Sequence, residues 1–145
     1  MASTFELFHS FRQYIADGTI DLDSADVYLA LVTSSYTKNL ANTIWANISA
    51  NEVANGSGYT TNGANLTSND VTYSTTTATF DAADVTFSSL TKTFRFGVVY
   101  INATVNSIVK PLIGVILFDS TPADVTVSGV DFTVTWNASG IITWS

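Results

Sequence analysis

Three short segments in which nearly every residue is apolar constrain the fold of this chain more than any other feature. They are Asp26–Thr33, Phe94–Ile101 and Leu112–Phe118. Each has the length of a β-strand, and none approaches the roughly 18 consecutive apolar residues of a membrane-spanning helix. In Asp26–Thr33 both alternating sets of side chains are apolar, which indicates a strand buried on both faces at the centre of a sheet.

The remaining sequence after Asp21 also favours strands joined by turns. Three shorter, Thr-rich candidates are Val71–Tyr73, Ala78–Phe80 and Val85–Phe87. Asp131–Trp136 alternates apolar and polar residues, and Asn137–Gly140 is typical of a tight turn before Ile141–Trp144, so we predict a terminal hairpin there. The pattern as a whole predicts a mainly β fold: an antiparallel β-sandwich or jelly-roll-like domain with one N-terminal α-helix.

That helix is predicted from the first residues of the chain. Ser3 and Glu6 have the Ser-x-x-Glu spacing of a capping box, and apolar side chains then recur every three or four positions. This pattern predicts a helix over about residues 4–17, with Gly18 at its C-terminal end. The apolar stripe consists of Phe5, Leu7, Phe8, Phe11, Tyr14 and Ile15. It either packs on the sheet or docks on another subunit, and the sequence leaves both alternatives open.

The middle of the chain, residues 34–70, lacks strand or helix periodicity and is rich in Asn and Gly. A stretch of this length is typical of a functional loop or an extended arm. Apolar residues recur along it and favour an ordered segment over a floppy linker. These candidate anchors are Ile44, Trp45, Ile48, Val53, Tyr59 and Leu66. We refer to residues 34–70 below as the excursion.

Composition excludes several classes of function. The chain has 145 residues, no Cys, and 12 acidic against 5 basic residues, giving a net charge of -7. Without Cys, disulfide scaffolds, zinc fingers and thiol catalysis are excluded, and five scattered cations are too few to bind nucleic acid. The length predicts a single domain over residues 1–145, and the N-terminus lacks signal-peptide features, which predicts a chain that is cytoplasmic where it is made.

The low charge is the unusual feature of the composition. Charged residues make up 12% of the chain and the mean hydropathy is +0.27, whereas most soluble domains have about 25% charged residues. Such a chain has to bury apolar surface inside itself or against neighbours.

Candidate catalytic and metal-binding residues are few. His9 is the only histidine and has no Cys or Asp at a useful local spacing, so catalysis would require a distant carboxylate or serine to meet it in space. A surface or interface role is therefore favoured. Asp21, Asp23 and Asp26 are weak candidates for a Ca²⁺ site, but they fit a solvated connection between helix and strand better because the EF-hand glycine and glutamate are missing. We expect no cofactor.

The three tryptophans offer a different possibility. Trp45, Trp136 and Trp144 form a sugar-stacking platform if two or more are exposed on one face, although aromatic residues of β domains are more often core. A carbohydrate-binding module is therefore one of the alternatives that the sequence leaves open.

Several motifs, in order along nearly the whole chain, resemble a family of small tailed-bacteriophage virion structural proteins. They are Gly18–Asp23, Val27–Thr37, Ser49–Val53, Gly58–Thr60 with Gly63, Val98–Ile101, Pro111–Gly114, and Asp131–Val134 with Gly140-Ile141. The resemblance implies a virion component and carries no catalytic residues. Many members of this family have no assigned role.

From the resemblance and the low charge we expect a non-enzymatic capsid cement (decoration) protein on the head surface of the virion. Its expected partners are the major capsid lattice and copies of itself, as a trimer or dimer, with no nucleic acid and no membrane. The alternatives are a tail or tail-fibre-associated component and a carbohydrate-binding module for host-surface sugars. The candidate interface residues are Phe5, Phe8, Phe11, Tyr14, Trp45 and Tyr59.

Overall fold

The computed structural model describes residues 3–145 as a mainly β protein with one α-helix. In chain order the elements are β1 (Thr4–Leu7), α1 (His9–Ala16), β2 (Val27–Val32), β3 (Ala64–Asn65), β4 (Asp70–Ser74), β5 (Thr77–Asp81), β6 (Val85–Phe94), β7 (Phe96–Ile101), β8 (Thr104–Val105), β9 (Ile108–Val109), β10 (Leu112–Leu117), β11 (Val125–Val134) and β12 (Ile142–Trp144). The excursion contributes β3 and two short 3-10 turns, at Trp45–Asn47 and Ser49–Asn51. The strand pairings are antiparallel, which confirms the predicted fold class.

The three strongly apolar segments form the centre of the largest sheet. This five-stranded sheet has the order β1-β10-β7-β2-β3, so β10, β7 and β2 each have a neighbour on both sides. Nearly all of their side chains are buried. The prediction of a central strand at Asp26–Thr33 is therefore confirmed. A strand that is apolar on both faces needs a covering layer on each face.

One face of the five-stranded sheet packs against a second layer of strands. Leu29 and Val99 point into this space, where they join Phe80 of β5 together with Leu90 and Phe94 of β6 in one buried cluster. The second layer consists of the long β6–β11 ribbon and a three-stranded sheet with the order β12-β5-β4. This arrangement is a β-sandwich-like fold with its main core between the two layers.

The opposite face of the same sheet is covered by the excursion. Trp45 and Ile48 are buried against the Ala30, Val98 and Tyr100 face of the sheet. The ring of Trp45 stacks on that of Tyr100, with centroids 4.6 Å apart and planes 6° from parallel. The excursion is thus ordered by its apolar residues, as predicted.

The N-terminal helix is shorter than predicted. Residues 4–7 form β1, which pairs with β10 from Leu117 to Gly114, and α1 begins at His9. The capping box is absent: Glu6 pairs instead with Lys38 at 2.7 Å, and Phe8 at the helix start has no side-chain cap. Residues 4–7 form backbone hydrogen bonds with the edge of β10. These bonds outweigh the local preference of the segment for a helix.

The predicted terminal hairpin is wrong. Asn137 and Gly140 do form the expected turn, with Gly140 N–H donating to the Asn137 carbonyl at 2.8 Å. However, β11 pairs with β6, and β12 pairs with β5. The predicted Phe94–Ile101 strand is likewise interrupted at Arg95, where the chain passes from the second layer into the central sheet. In both cases, pairing with strands that are distant in the sequence is preferred to the local arrangement that the sequence pattern predicts.

Candidate interaction surfaces

Four of the six predicted interface residues are buried inside the chain, where they offer almost no surface to a partner. Phe11 and Tyr59 belong to the core between the layers, and Phe8 and Trp45 belong to the cluster on the opposite face. Their aromatic rings are buried by contacts within the chain itself. The helical stripe therefore packs on the sheet, the first of the two alternatives. Phe5 and Tyr14 are half-buried against the same core.

Tyr59 and Glu52 form a partly buried polar contact within the excursion. The Tyr59 hydroxyl donates to Glu52 Oε1 at 2.7 Å and accepts a hydrogen bond from the Leu31 N–H at 3.1 Å. Glu52 Oε1 also accepts from the Asn62 N–H at 2.6 Å. Burial, followed by the hydrogen bond and the negative charge of Glu52, raises the pKa of Tyr59 above the ordinary tyrosine range.

A second tyrosine, Tyr100 of β7, contacts the excursion at Asn62. The Tyr100 hydroxyl donates to the Asn62 carbonyl at 2.7 Å, and Lys110 Nζ donates to Asn62 Oδ1 at 3.0 Å. Burial, with the charge of Glu52 as the next cause, raises the pKa of Tyr100. These contacts hold the excursion on the sheet. A neutral phenol whose deprotonation is suppressed suits this structural role and is a poor proton acceptor at neutral pH.

The three aspartates proposed as weak metal candidates have other contacts. Asp21 accepts from the Asp23 N–H at 3.1 Å and the Ser24 hydroxyl at 3.0 Å, and Asp23 accepts from the Val71 N–H at 3.2 Å. Asp26 accepts from the Asn65 side-chain amide. Within residues 3–145 no group of three or more His, Asp or Glu is placed to hold a metal ion. Asp21 therefore bonds within the connection from α1 to β2, whereas Asp23 and Asp26 bond to β4 and β3. His9 is exposed at the start of α1.

The three tryptophans lie in different parts of the molecule. Trp45 belongs to the excursion and is buried against the central sheet. Trp136 donates its indole N–H to the Ala83 carbonyl at 3.1 Å, and Trp144 ends β12. Trp136 and Trp144 are half-buried against the main core. Across residues 3–145, therefore, no two exposed tryptophans share a face, which does not favour a flat sugar-stacking platform.

An open groove lies between the edge strand β1 and the end of β11. Its volume is about 340 Å³. Its lining includes four aromatic side chains: Phe5, Phe118, Phe132 and Trp136. The rest of its lining is apolar or uncharged polar, so we call it the uncharged groove. Phe5, one of the predicted interface residues, is half-buried here and remains available to a partner.

A second open groove lies between the α1–β2 connection and the sheet of β4, β5 and β12. It encloses about 460 Å³. Its apolar lining consists of Ile15, Ile20, Leu22, Val71, Ala78 and Trp144. Asp21 and Asp23 are its only charged lining residues, so we call it the acidic groove.

The edge strand β4 continues the apolar surface of the acidic groove. All five of its residues are exposed. Val71 is 41% exposed and Tyr73 is 76% exposed, and they are two of the four large hydrophobic residues that the described chain exposes. The sequence indicated a strand here but not its edge position, because a short, Thr-rich segment has the same residue pattern in an edge strand as in a central strand.

Comparison of the chain with protein-family models, with curated proteins and with solved structures gave no match. Within residues 3–145, no helix is both long and apolar enough to cross a bilayer. These comparisons do not link the chain to phage virion proteins, so that assignment stays a prediction from the sequence motifs. What the structure adds is a β-sandwich-like scaffold with two open grooves and an exposed edge strand.

Proposed function

We propose that this protein is a non-enzymatic structural component of a phage virion, and specifically a cement protein that clamps neighbouring major-capsid subunits on the head surface. The observation that carries the proposal is the exposed edge strand β4, with Val71 and Tyr73 next to the acidic groove. The family resemblance of the sequence supplies the setting. A cement protein needs surfaces that bind neighbours and needs no active site.

An edge strand such as β4 is unusual for a protein that remains alone in solution. Natural proteins protect such edges with Lys, Pro or covering loops, because unpaired N–H and C=O groups recruit other strands. β4 has the sequence DVTYS, with neither Lys nor Pro. Among residues 3–145, the only side chain that bonds to its free backbone edge is Asp23, which accepts from the Val71 N–H. Exposed apolar side chains on an open edge are typical of a surface that a partner covers.

The low charge of the exposed faces agrees with this function. The outward side chains of the β6–β11 ribbon are mainly Ser and Thr, and Thr86–Thr133 and Thr93–Thr126 are joined by hydroxyl hydrogen bonds of 2.8 and 3.0 Å. Interface cores are depleted in charged residues relative to ordinary surface. A chain that binds only the assembled lattice stabilises that lattice, since binding to one state alone shifts the equilibrium toward it.

Copy number in the particle tests the proposal. Quantitative mass spectrometry of purified virions should find many copies of the chain, released from heads rather than from separated tails. A few copies located at one vertex would support the tail-associated alternative instead. Absence of the chain from the particle would overturn the virion assignment altogether.

Surface variants test which part of the protein makes the contact. We expect Val71→Ser with Tyr73→Ser to abolish binding to heads that lack the protein, because both changes remove apolar surface from β4. Val109→Ser is the matched control, since Val109 is also exposed and lies in the separate β8–β9 hairpin. Equal binding by the β4 variant and the control would show that β4 is not the contact surface.

A further inference from the structure

The acidic groove combines an apolar interior with a rim of a single charge sign. Its walls come from α1 and the following connection on one side and from β4, β5 and β12 on the other. Trp144 and Ala78 lie opposite each other on paired strands, so they present one continuous apolar surface. A volume of about 460 Å³ is within the range of pockets that hold a large side chain or small ligand.

No basic residue of the lining balances the two carboxylates. Asp21 and Asp23 accept hydrogen bonds from a backbone N–H or from Ser24, and neither contacts a cation in the described chain. The sequence contains no Lys or Arg between Arg12 and Lys38, or between Lys38 and Lys92. The rim therefore keeps its negative charge and attracts positive charge from outside.

We propose that the acidic groove binds an extended segment of a partner protein in which a large apolar side chain is flanked by Lys or Arg. This inference rests on the proposed function and specifies the chemistry of the partner. The apolar side chain enters the groove against Trp144 and Ala78, and the flanking cation lies over Asp21 and Asp23. Charge complementarity selects this occupant, because apolar burial alone does not distinguish among partners.

A second copy of the chain is a poor occupant of this groove. Each copy has a net charge of -7, and a two-fold contact here brings like-charged rims together. Like-charge juxtaposition opposes association and selects against such a partner. If copies of the chain associate, the uncharged groove is the more suitable surface.

Only part of the free edge of β4 is open to backbone contact with the bound segment. The N–H of Val71 already donates to Asp23, and in an antiparallel pair alternate residues face away from the neighbouring strand. Tyr73 is therefore the residue of β4 whose backbone N–H and C=O face away from β5 and can pair with a bound segment. We expect one groove to bind weakly, and many copies on a lattice to bind strongly through simultaneous contacts.

Three matched peptides test the proposal. Each has nine residues, a central Leu in a Gly/Ser background, and Lys, Gln or Glu on both sides of the Leu. The readout is the NMR shift of the Trp144 indole N–H in the full chain. The Lys peptide should bind, more weakly at high salt, and the Glu peptide should not bind.

Substitution of one carboxylate supplies the internal control. Asp23→Asn keeps an acceptor for the Val71 N–H and removes one charge, and should weaken the Lys peptide about twofold to fivefold at low salt. Asp131→Asn makes the same charge change on the β6–β11 ribbon, where Asp131 accepts from the Ser89 N–H, and should leave the affinity unchanged.

Several results would overturn the proposal. Equal affinity for the three peptides, no shift of the Trp144 signal with any of them, or equal weakening by the two substitutions would each exclude a charge-selective groove. A shift caused by a hexose but by no peptide would point to a sugar ligand instead. Failure of the peptide test with many copies in purified heads overturns the groove alone. Peptide binding by a chain absent from virions overturns the proposed function alone.

Discussion

The hydroxyl of Tyr59 lies 2.7 Å from Glu52 Oε1 and 3.1 Å from the backbone nitrogen of Leu31. Two parts of the excursion, at Glu52 and Tyr59, are thereby joined to the central strand β2. The phenol ring itself is buried and stacks near Phe87, with centroids 5.7 Å apart. The excursion is therefore held by directional polar contacts as well as by apolar burial.

We expect Tyr59→Phe to destabilise the protein by about 1–3 kcal/mol, since the substitution leaves the Leu31 N–H and the Glu52 carboxylate each without one buried partner. The ring is retained, so packing changes little. Urea denaturation followed by circular dichroism measures the change.

Tyr73→Phe is the matched control for this prediction. The Tyr73 hydroxyl donates to the Thr75 carbonyl at 2.6 Å, but the side chain is exposed and water replaces the lost bond. Its effect should be below about 0.5 kcal/mol. Equal destabilisation by the two substitutions would contradict the structural role assigned to the Tyr59 hydroxyl.

Stability should decrease at high pH because of Tyr59 and Tyr100. Burial raises the pKa of both above the ordinary value, so in the range above about pH 10 the unfolded chain releases these protons first. The contribution is complete below that pH and is lost as pH rises, at up to about 1.4 kcal/mol per pH unit for each tyrosine. Denaturant midpoints between pH 9 and 12 measure this slope.

Tyr59→Phe checks the assignment of the alkaline slope. The variant starts less stable, but its slope above pH 10 should be shallower because one suppressed ionisation is gone. A wild-type stability that is constant from pH 9 to 12 would contradict the prediction.

Gly63 should tolerate no side chain. Its φ is +86°, and a Cβ there would overlap the backbone carbonyl of Leu29, at the point where the excursion meets β2. Gly63→Ala should therefore lower the free energy of unfolding by over about 2 kcal/mol more than Gly18→Ala does. Gly18 also has a positive φ, of +76°, but it has open space around it. Thermal denaturation of the two variants gives the comparison, and similar losses would mean that the close approach is relieved cheaply.

The buried helical aromatics should affect folding rather than assembly. Phe8→Ser and Phe11→Ser each remove a fully buried ring, which costs roughly 3–5 kcal/mol for truncation of an aromatic side chain. The double variant should be unfolded at room temperature by circular dichroism. A folded double variant that fails to bind heads would instead restore these residues to an interface.

The strands of the core follow from side-chain pattern alone. Asp26–Thr33 and Leu112–Phe118 are apolar on both faces, and a chain with so little charge has to cover both. The anchors of the excursion were also predictable, because Trp45, Ile48 and Tyr59 are apolar residues in an otherwise polar segment. These predictions depend on local composition, which a sequence displays directly.

The candidate interaction surfaces were much less predictable. A row of aromatic residues is equally suited to a core and to an interface, so the sequence did not show that Phe8, Phe11, Trp45 and Tyr59 are buried within the chain. The acidic groove joins Asp21 and Asp23 to Val71 and Trp144, which are about 50 and 120 positions away in the sequence. Such a groove has no local signal.

The sequence by itself determined that this protein is mainly β, that its central strands are buried on both faces, and that an ordered excursion is anchored by aromatic and aliphatic residues. Only the tertiary structure decided that Thr4–Leu7 joins the sheet, that β12 pairs with β5, and which apolar residues remain exposed. The physical reason is that strand pairing and burial are satisfied between distant segments. The free energy of a hydrogen bond to a sheet edge, or of a ring packed on a remote strand, is absent from any local window of sequence.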